Sequence, residues 1–151
     1  MPAHRFAYAA AAAALAFAPL PAGAVRVFIP TAERCALSTL VVDAEVTSQE
    51  GVWNDDLIET LVDIHVHQAL KGTAPDSLTF VVPGGEVAGL HLDISEAPKL
   101  KTDHRYVLLL HKRTDGAWTP VGGPDGVFLL TERSPAAAQA LAQSLGACHV
   151  R

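Results

Sequence analysis

The sequence predicts an all-β fold, a small barrel or sandwich of five to six strands, with one C-terminal helix. Two observations predict the strands: apolar and polar residues alternate in several short segments, and clusters of Gly, Pro and Asp separate those segments. Short strands at such spacing are typical of small barrels and sandwiches. A third observation predicts the helix, because the alanine-rich segment AAAQALAQSL directly follows a Ser-Pro pair.

The first two predicted strands are LVVDAEVTS and LIETLVDIHVH, and the intervening EGVWNDD is predicted to be a turn. Each strand alternates apolar with polar residues, which indicates one face toward the core and one toward solvent. Asp43 and Glu45 are therefore expected to point away from the core. The residues expected to face the core are Leu40, Val42, Ala44, Val46, Ile58, Thr60, Val62, Ile64 and Val66.

Further strands are predicted in the second half of the chain. SLTFVV ends at a Pro-Gly-Gly sequence, since proline cannot donate to a strand ladder. Residues 86–103 are expected to be irregular, with a short strand around residues 90–94. RYVLLL is apolar on both faces and is predicted to be a central strand, and AWTPV and VFLL follow after glycine-containing turns. The helix is predicted over residues 135–145, stopped by Gly146.

The N-terminal segment has the organisation of a secretory signal peptide. Arg5 supplies the positive charge, residues 6–18 form a small or apolar run too short for a permanent membrane anchor, and Ala22-Gly23-Ala24 supplies the cleavage site. We therefore expect residues 1–24 to be removed and residues 25–151 to form a single domain. The protein is expected to be exported, to the periplasm or the extracellular space.

The charge balance limits the classes of partner. The formal net charge is −5, and removal of Arg5 with the signal peptide makes it one unit more negative. This balance disfavours nucleic acid and anionic membrane surfaces as partners. No second apolar run approaches a transmembrane length, so we expect no membrane insertion after signal removal. The expected partner is another protein.

The chain has two cysteines, Cys35 and Cys148, near opposite ends of the predicted mature domain. In an oxidising compartment such a pair favours a disulfide, which would close a long loop. The alternative is that both remain unpaired thiols. We favour the disulfide.

The order of these segments resembles that of a known group of proteins. LSTLVVDAEVTS, a second strand ending HQALKG, then LTFVVPGG, RYVLLL and a hairpin with a glycine turn follow one another between Cys35 and Thr131. This order resembles uncharacterised exported bacterial domains with an LKG…VPGG…RYLLFL pattern. More distantly, it is similar to the netrin-like module, the OB-type barrel of the tissue inhibitors of metalloproteinases.

The resemblance implies a five-stranded barrel and a binding role rather than catalysis. The inhibitors use a cysteine at the mature N-terminus to reach the catalytic zinc of their target. Here Val25 is the predicted mature start, and the first cysteine, Cys35, lies ten residues further along the chain. Their inhibitory mechanism is therefore not carried over to this chain.

The segment DIHVH places Asp63, His65 and His67 on one face of the second strand. Two histidines and a carboxylate can bind a transition metal, so one hypothesis is a metal-binding protein or a metal-dependent hydrolase. The same spacing arises whenever the intervening valine and isoleucine face the core. We favour the second interpretation, a solvent-facing polar surface with no cofactor. His91 and Asp93 could complete a metal site only if their loop folds over this strand.

The connection from Pro83 to Asp103 is the candidate binding region. It is long for a compact domain, and it combines apolar with charged residues. Two interpretations remain open: the loop forms a recognition surface, or its residues Leu90, Leu92 and Ile94 close one end of the barrel. No G-x-S-x-G nucleophile elbow is present, and we predict a non-enzymatic binding module that contacts another envelope or secreted protein. The candidate binding residues are Glu86, His91, Asp93 and Glu96.

Overall fold

A computed structural model describes residues 28–146 of the chain. The predicted signal peptide, residues 1–24, and Cys148 lie outside this range. Within residues 28–146 the chain forms eight strands and two α-helices, with a short 3-10 helix at Gly123–Gly126. In chain order the elements are α1 Thr31–Leu37, β1 Leu40–Asn54, β2 Leu57–Lys71, β3 Ser77–Pro83, β4 Gly85–Val87, β5 Leu90–Leu92, β6 Arg105–Lys112, β7 Trp118–Pro120, β8 Val127–Leu129 and α2 Pro135–Ser144.

Five of the strands pair in a closed ring, as in a small barrel. β1 pairs with both β2 and β6, β2 pairs with β3, and β7 joins β3 to β6. All of these pairings are antiparallel except β3 with β7, which meet at the single pair Phe80 and Trp118. β8 extends the sheet beside β6. The predicted class, a small all-β fold with a C-terminal helix, is confirmed.

The interior of the ring is filled by the residues that alternation predicted. Val62 and Phe80 have no solvent exposure, and Ile64 has almost none. Thr60 and Val66, at the same predicted face, are half-buried. The inner core cluster consists of Leu40, Val42, Ala44, Val46, Val62, Ile64, Phe80, Val82, Tyr106, Leu108 and Leu110.

A second core lies on the outside of the ring, between the sheet and the two helices. It contains the outward-facing residues of β6, Val107 and Leu109, which explains why RYVLLL is apolar on both faces. Ala138 and Ala142 cover them from α2. The α2 start matches the prediction, because Ser134 Oγ accepts a hydrogen bond from the Ala137 N–H at 3.1 Å. Helix α1 was not predicted, because its short sequence has no capping side chain.

The hairpin of β1 and β2 is longer than predicted. Most of EGVWNDD belongs to β1, and only Asp55 and Asp56 form the turn, with a positive φ of 52° at Asp55. The added strand length is covered by β4, whose backbone lies directly against Gly51. A Cβ at Gly51 would overlap the Glu86 carbonyl oxygen, so glycine is required at this crossing.

The segment expected to be irregular contains a small hairpin of its own. β4 and β5 pair antiparallel around a turn at Ala88 and Gly89, which both have positive φ. Residues 93–104 then cross one end of the ring. Neither helix of the described range is long and apolar enough to span a membrane.

Candidate binding groove

The structure brings only two of the four predicted binding residues together in one groove. Glu86 and His91 are opposite each other on β4 and β5, and both are exposed. Asp93 directly follows β5, and Glu96 lies in the next turn. Of the four, only His91 and Asp93 line a common groove, which has a volume of about 340 Å³.

The groove lies between the β4–β5 hairpin and residues 93–100. Its floor is formed by the end of β3 and by Gly84 and Gly85. Sequence reasoning missed Gln49 and Thr60, because their positions in β1 and β2 do not show which loop covers them, and it did not select Lys99 from the predicted connection. The polar side chains that line the groove are those of Gln49, Thr60, His91, Asp93 and Lys99.

Two side-chain hydrogen bonds fix the walls of the groove. Thr60 Oγ1 donates to the Gly84 carbonyl at 2.7 Å, and Gln49 Nε2 donates to the Leu100 carbonyl at 3.3 Å. Gly84 has a φ of 85°, and a Cβ there would lie 2.7 Å from the Leu92 carbonyl oxygen. The Pro-Gly-Gly sequence is therefore needed for the close approach of the hairpin to the strand end.

The exposure of three apolar residues in this connection bears on its two interpretations, a recognition surface or a closed end of the barrel. Leu90 is 58% exposed, whereas Leu92 and Ile94 are half-buried. Leu100 packs against the inner core, and neighbouring Pro98 is buried. Leu100, and not Leu90, is therefore the residue of this connection that packs against the inner core.

Large apolar side chains are exposed on the two hairpins beside the groove. Trp53 is 51% exposed and Leu57 is 63% exposed at the end of the β1–β2 hairpin. β4 packs against both β1 and β2, and its hairpin carries the exposed Leu90. We call Trp53, Leu90 and the groove-lining His91 and Asp93 the hairpin surface. Leu57 is not part of it, because it lies on the opposite face of β2 from Ile58 and Thr60. Exposed apolar groups beside polar ones are typical of interaction surfaces.

The polar side chains of the DIHVH segment contact one another and side chains on the neighbouring strands β1 and β3. The Asp63 carboxylate accepts hydrogen bonds from Thr79 Oγ1 at 2.5 Å and from Ser48 Oγ at 2.7 Å. These bonds, that from Thr79 first, lower the pKa of Asp63 below its usual value. The rings of His65 and His67 meet edge to face with centroids 5.0 Å apart.

His67 Nε2 lies 3.9 Å from a carboxylate oxygen of Glu45, on the neighbouring strand. His91 and Asp93 line the groove between the β4–β5 hairpin and residues 93–100, and do not join the DIHVH residues in a site. Within residues 28–146, no three His, Cys, Asp or Glu side chains are arranged to hold a metal ion.

The expectation that Asp43 faces solvent is wrong. Its carboxylate is fully buried and binds Arg105 in a bidentate pair, with Nε to Oδ1 at 2.6 Å and Nη2 to Oδ2 at 2.5 Å. Arg105 also donates to the Arg133 carbonyl at 3.1 Å. The hydrogen bonds to Asp43 raise the pKa of the Arg105 guanidinium. Alternation indicated the face of Asp43 correctly, but not that other elements cover this face.

Cys35 is fully buried, and its Sγ lies 3.7 Å from the Leu145 carbonyl oxygen. Leu145 precedes Cys148 by three residues, so the end of α2 runs close to Cys35. Because Cys148 lies outside the described residues, the disulfide stays a prediction.

Comparison of the chain with known protein families and with curated proteins found no match. The groove and the hairpin surface are therefore the observations from which function is inferred.

Proposed function

We propose that this protein is an exported, non-enzymatic binding module whose partner is another envelope or secreted protein. The observation that carries the proposal is the hairpin surface, where exposed Trp53 and Leu90 lie on the hairpins beside a polar groove. Burying such large apolar side chains is a main source of affinity between proteins, and the charged groups around them supply specificity.

Several features support a protein as the partner. The groove contains His91, Asp93 and Lys99, so it offers donors, acceptors and both signs of charge within one surface. A mixed polar and apolar composition of this kind is typical of non-obligate protein interfaces. The order of charged, apolar and small residues in residues 1–24 supports export.

The ring of strands also supports the proposal. The resemblance to exported bacterial domains and to the netrin-like module implies a five-stranded barrel with a binding role. A ring in which β1 pairs with β2 and β6, and β3 meets β7 in parallel, is compatible with an OB-type barrel. OB-type barrels bind ligands on the face of their second and third strands and through the loops that join strands 1 and 2 and strands 4 and 5.

The test begins with crosslinking and pull-down from the native periplasm or culture medium, after which the identified partner is purified. Its affinity is then measured for a variant in which Glu86, His91, Asp93 and Glu96 are replaced by Ala. Trp53→Ser with Leu90→Ser forms a second variant that removes the apolar contacts. We expect both variants to keep the melting temperature of the wild type and to lose at least about tenfold in affinity.

The chain offers a matched control with the same composition of side chains. Glu33, His65, Asp76 and Glu132 are all exposed and do not line the groove, and they are also replaced by Ala. The control variant should bind as the wild type does. If the affinity is unchanged in both hairpin-surface variants, the partner binds elsewhere and the proposal is wrong.

A further inference from the structure

A second cavity lies on the other side of Pro98 and Lys99 from the groove. It has a volume of about 310 Å³, and residues 98–106 on one side and the 3-10 helix with β8 on the other line it. The volume is at the lower end of the range of about 300–1,000 Å³ found for small-molecule sites. We call it the cationic cavity, for the basic side chains of Lys99, Lys101 and His104 in its lining.

The cationic cavity is lined by positive charge, although the chain as a whole carries a negative net charge. The formal net charge is −5, yet two lysines and one histidine line this cavity. No carboxylate side chain is among its lining residues in the described part of the chain. A concavity lined by one sign of charge concentrates ligands of the opposite sign, so its geometry favours an anion.

Tyr106 and His104 add directed hydrogen-bonding groups to the cavity. The Tyr106 side chain is almost fully buried, and its oxygen accepts the Lys101 backbone N–H at 3.0 Å, so its own hydrogen remains able to donate. His104 Nδ1 lies 3.0 Å from the Thr102 carbonyl oxygen, which requires Nδ1 to carry the hydrogen. Nε2 is then the ring atom that remains for a ligand, and in the neutral ring it accepts a hydrogen bond from a ligand donor.

The remaining lining is apolar. It is made by Pro98, Pro124, Val127 and Leu129, and Leu129 is 53% exposed. A ligand that buries these groups must itself carry an apolar body.

From this combination we propose that the cationic cavity binds a small organic acid, with its carboxylate toward Lys101 and the Tyr106 hydroxyl, and its apolar body against Leu129 and the two prolines. The segment that carries the basic residues is held to β1 on both sides of His104. Asp103 N–H donates to the Val46 carbonyl at 2.8 Å, and Val46 N–H donates to the His104 carbonyl at 3.0 Å. The site therefore needs little ordering when the acid binds.

The cationic cavity is distinct from the hairpin surface, and its ligand is additional to the protein partner proposed above. Lys99 lines both the groove and the cavity, so changing it would not separate the two sites. Lys101 and His104 line the cavity and not the groove. Variants at these two residues test the cavity without touching the groove.

The experiment titrates the purified full-length exported protein with phenylacetate and with hexanoate, and in parallel with their neutral amides, phenylacetamide and hexanamide. Binding is followed by calorimetry and by amide chemical shifts. We expect at least one acid to bind saturably at millimolar concentration or below, with shift changes at residues 101–106 and 127–129, and both amides to bind at least about fivefold more weakly.

The Lys101→Gln/His104→Gln variant should reduce the affinity for the acid by at least about fivefold, because the ammonium charge of Lys101 is replaced by a neutral amide. Lys112→Gln removes one positive charge from an exposed residue outside the cavity and should leave the affinity unchanged. Thermal melting checks that each variant is folded. The proposal is overturned if neither acid binds saturably, if the amides bind as well as the acids, or if the folded double variant binds as the wild type does.

Discussion

Replacing Asp43 with alanine should leave the Arg105 guanidinium buried without its counter-ion. Arg105 is 7% exposed, and both of its hydrogen bonds to Asp43 are lost in this variant. Breaking a buried ion pair from one side typically costs about 3–5 kcal/mol. For a domain of this size that loss corresponds to a fall of roughly 10–20 °C in melting temperature.

A double variant separates the free-energy cost of leaving a buried charge unpaired from the cost of losing the interaction itself. In the double variant Asp43→Leu/Arg105→Met no charge remains buried, and we expect its free energy of unfolding to exceed that of Asp43→Ala. Asp115→Ala is the control, because its carboxylate pairs with Arg113 at an exposed turn, and it should leave the unfolding midpoint nearly unchanged.

The assay is urea unfolding monitored by circular dichroism at neutral pH. The slope of the unfolding free energy against urea concentration is compared between variants. If Asp43→Ala lowers the free energy of unfolding by less than about 1 kcal/mol, the prediction is wrong, because a loss that small is typical of exposed ion pairs. A double variant less stable than the single variant would refute the account of the unpaired charge.

Three further predictions follow from the same structure. Gly51→Ala should displace the β4–β5 hairpin, because the added methyl group overlaps the Glu86 carbonyl, and should speed hydrogen exchange in residues 85–92; unchanged exchange would contradict this. The stability contributed by the Asp63 carboxylate should be present above its unfolded-state pKa and lost as the pH falls through its lower folded-state pKa. Thr79→Val should raise that folded-state pKa in an NMR titration, and an unchanged midpoint would show that Thr79 is not the main cause. If the predicted disulfide forms, reduction should destabilise the domain by up to about 4 kcal/mol and Cys148→Ser should match the reduced protein, whereas two reactive thiols in unreduced, denatured protein would exclude it.

The candidate site was predictable only in part. His91 and Asp93 were identified from the length and mixed composition of their connection, and the structure places both in the groove. Lys99 lies within the predicted connection but was not among its four candidate residues. Gln49 and Thr60 were not identified, because their positions in β1 and β2 carry no information about which segment lies over them. That information comes from the close crossing of β4 over Gly51, about 35 residues away in the sequence.

Alternation along the sequence predicts most of the strands and the residues that fill the ring, because a strand alternates its side chains with a period of two and only apolar ones can be buried without partners. Val42, Val62 and Ile64 follow this rule. What covers the outer faces of those strands depends on contacts between distant parts of the chain. Asp43 is buried because Arg105, far along the chain, supplies a buried partner for its charge, and alternation contains no information on such a distant pairing.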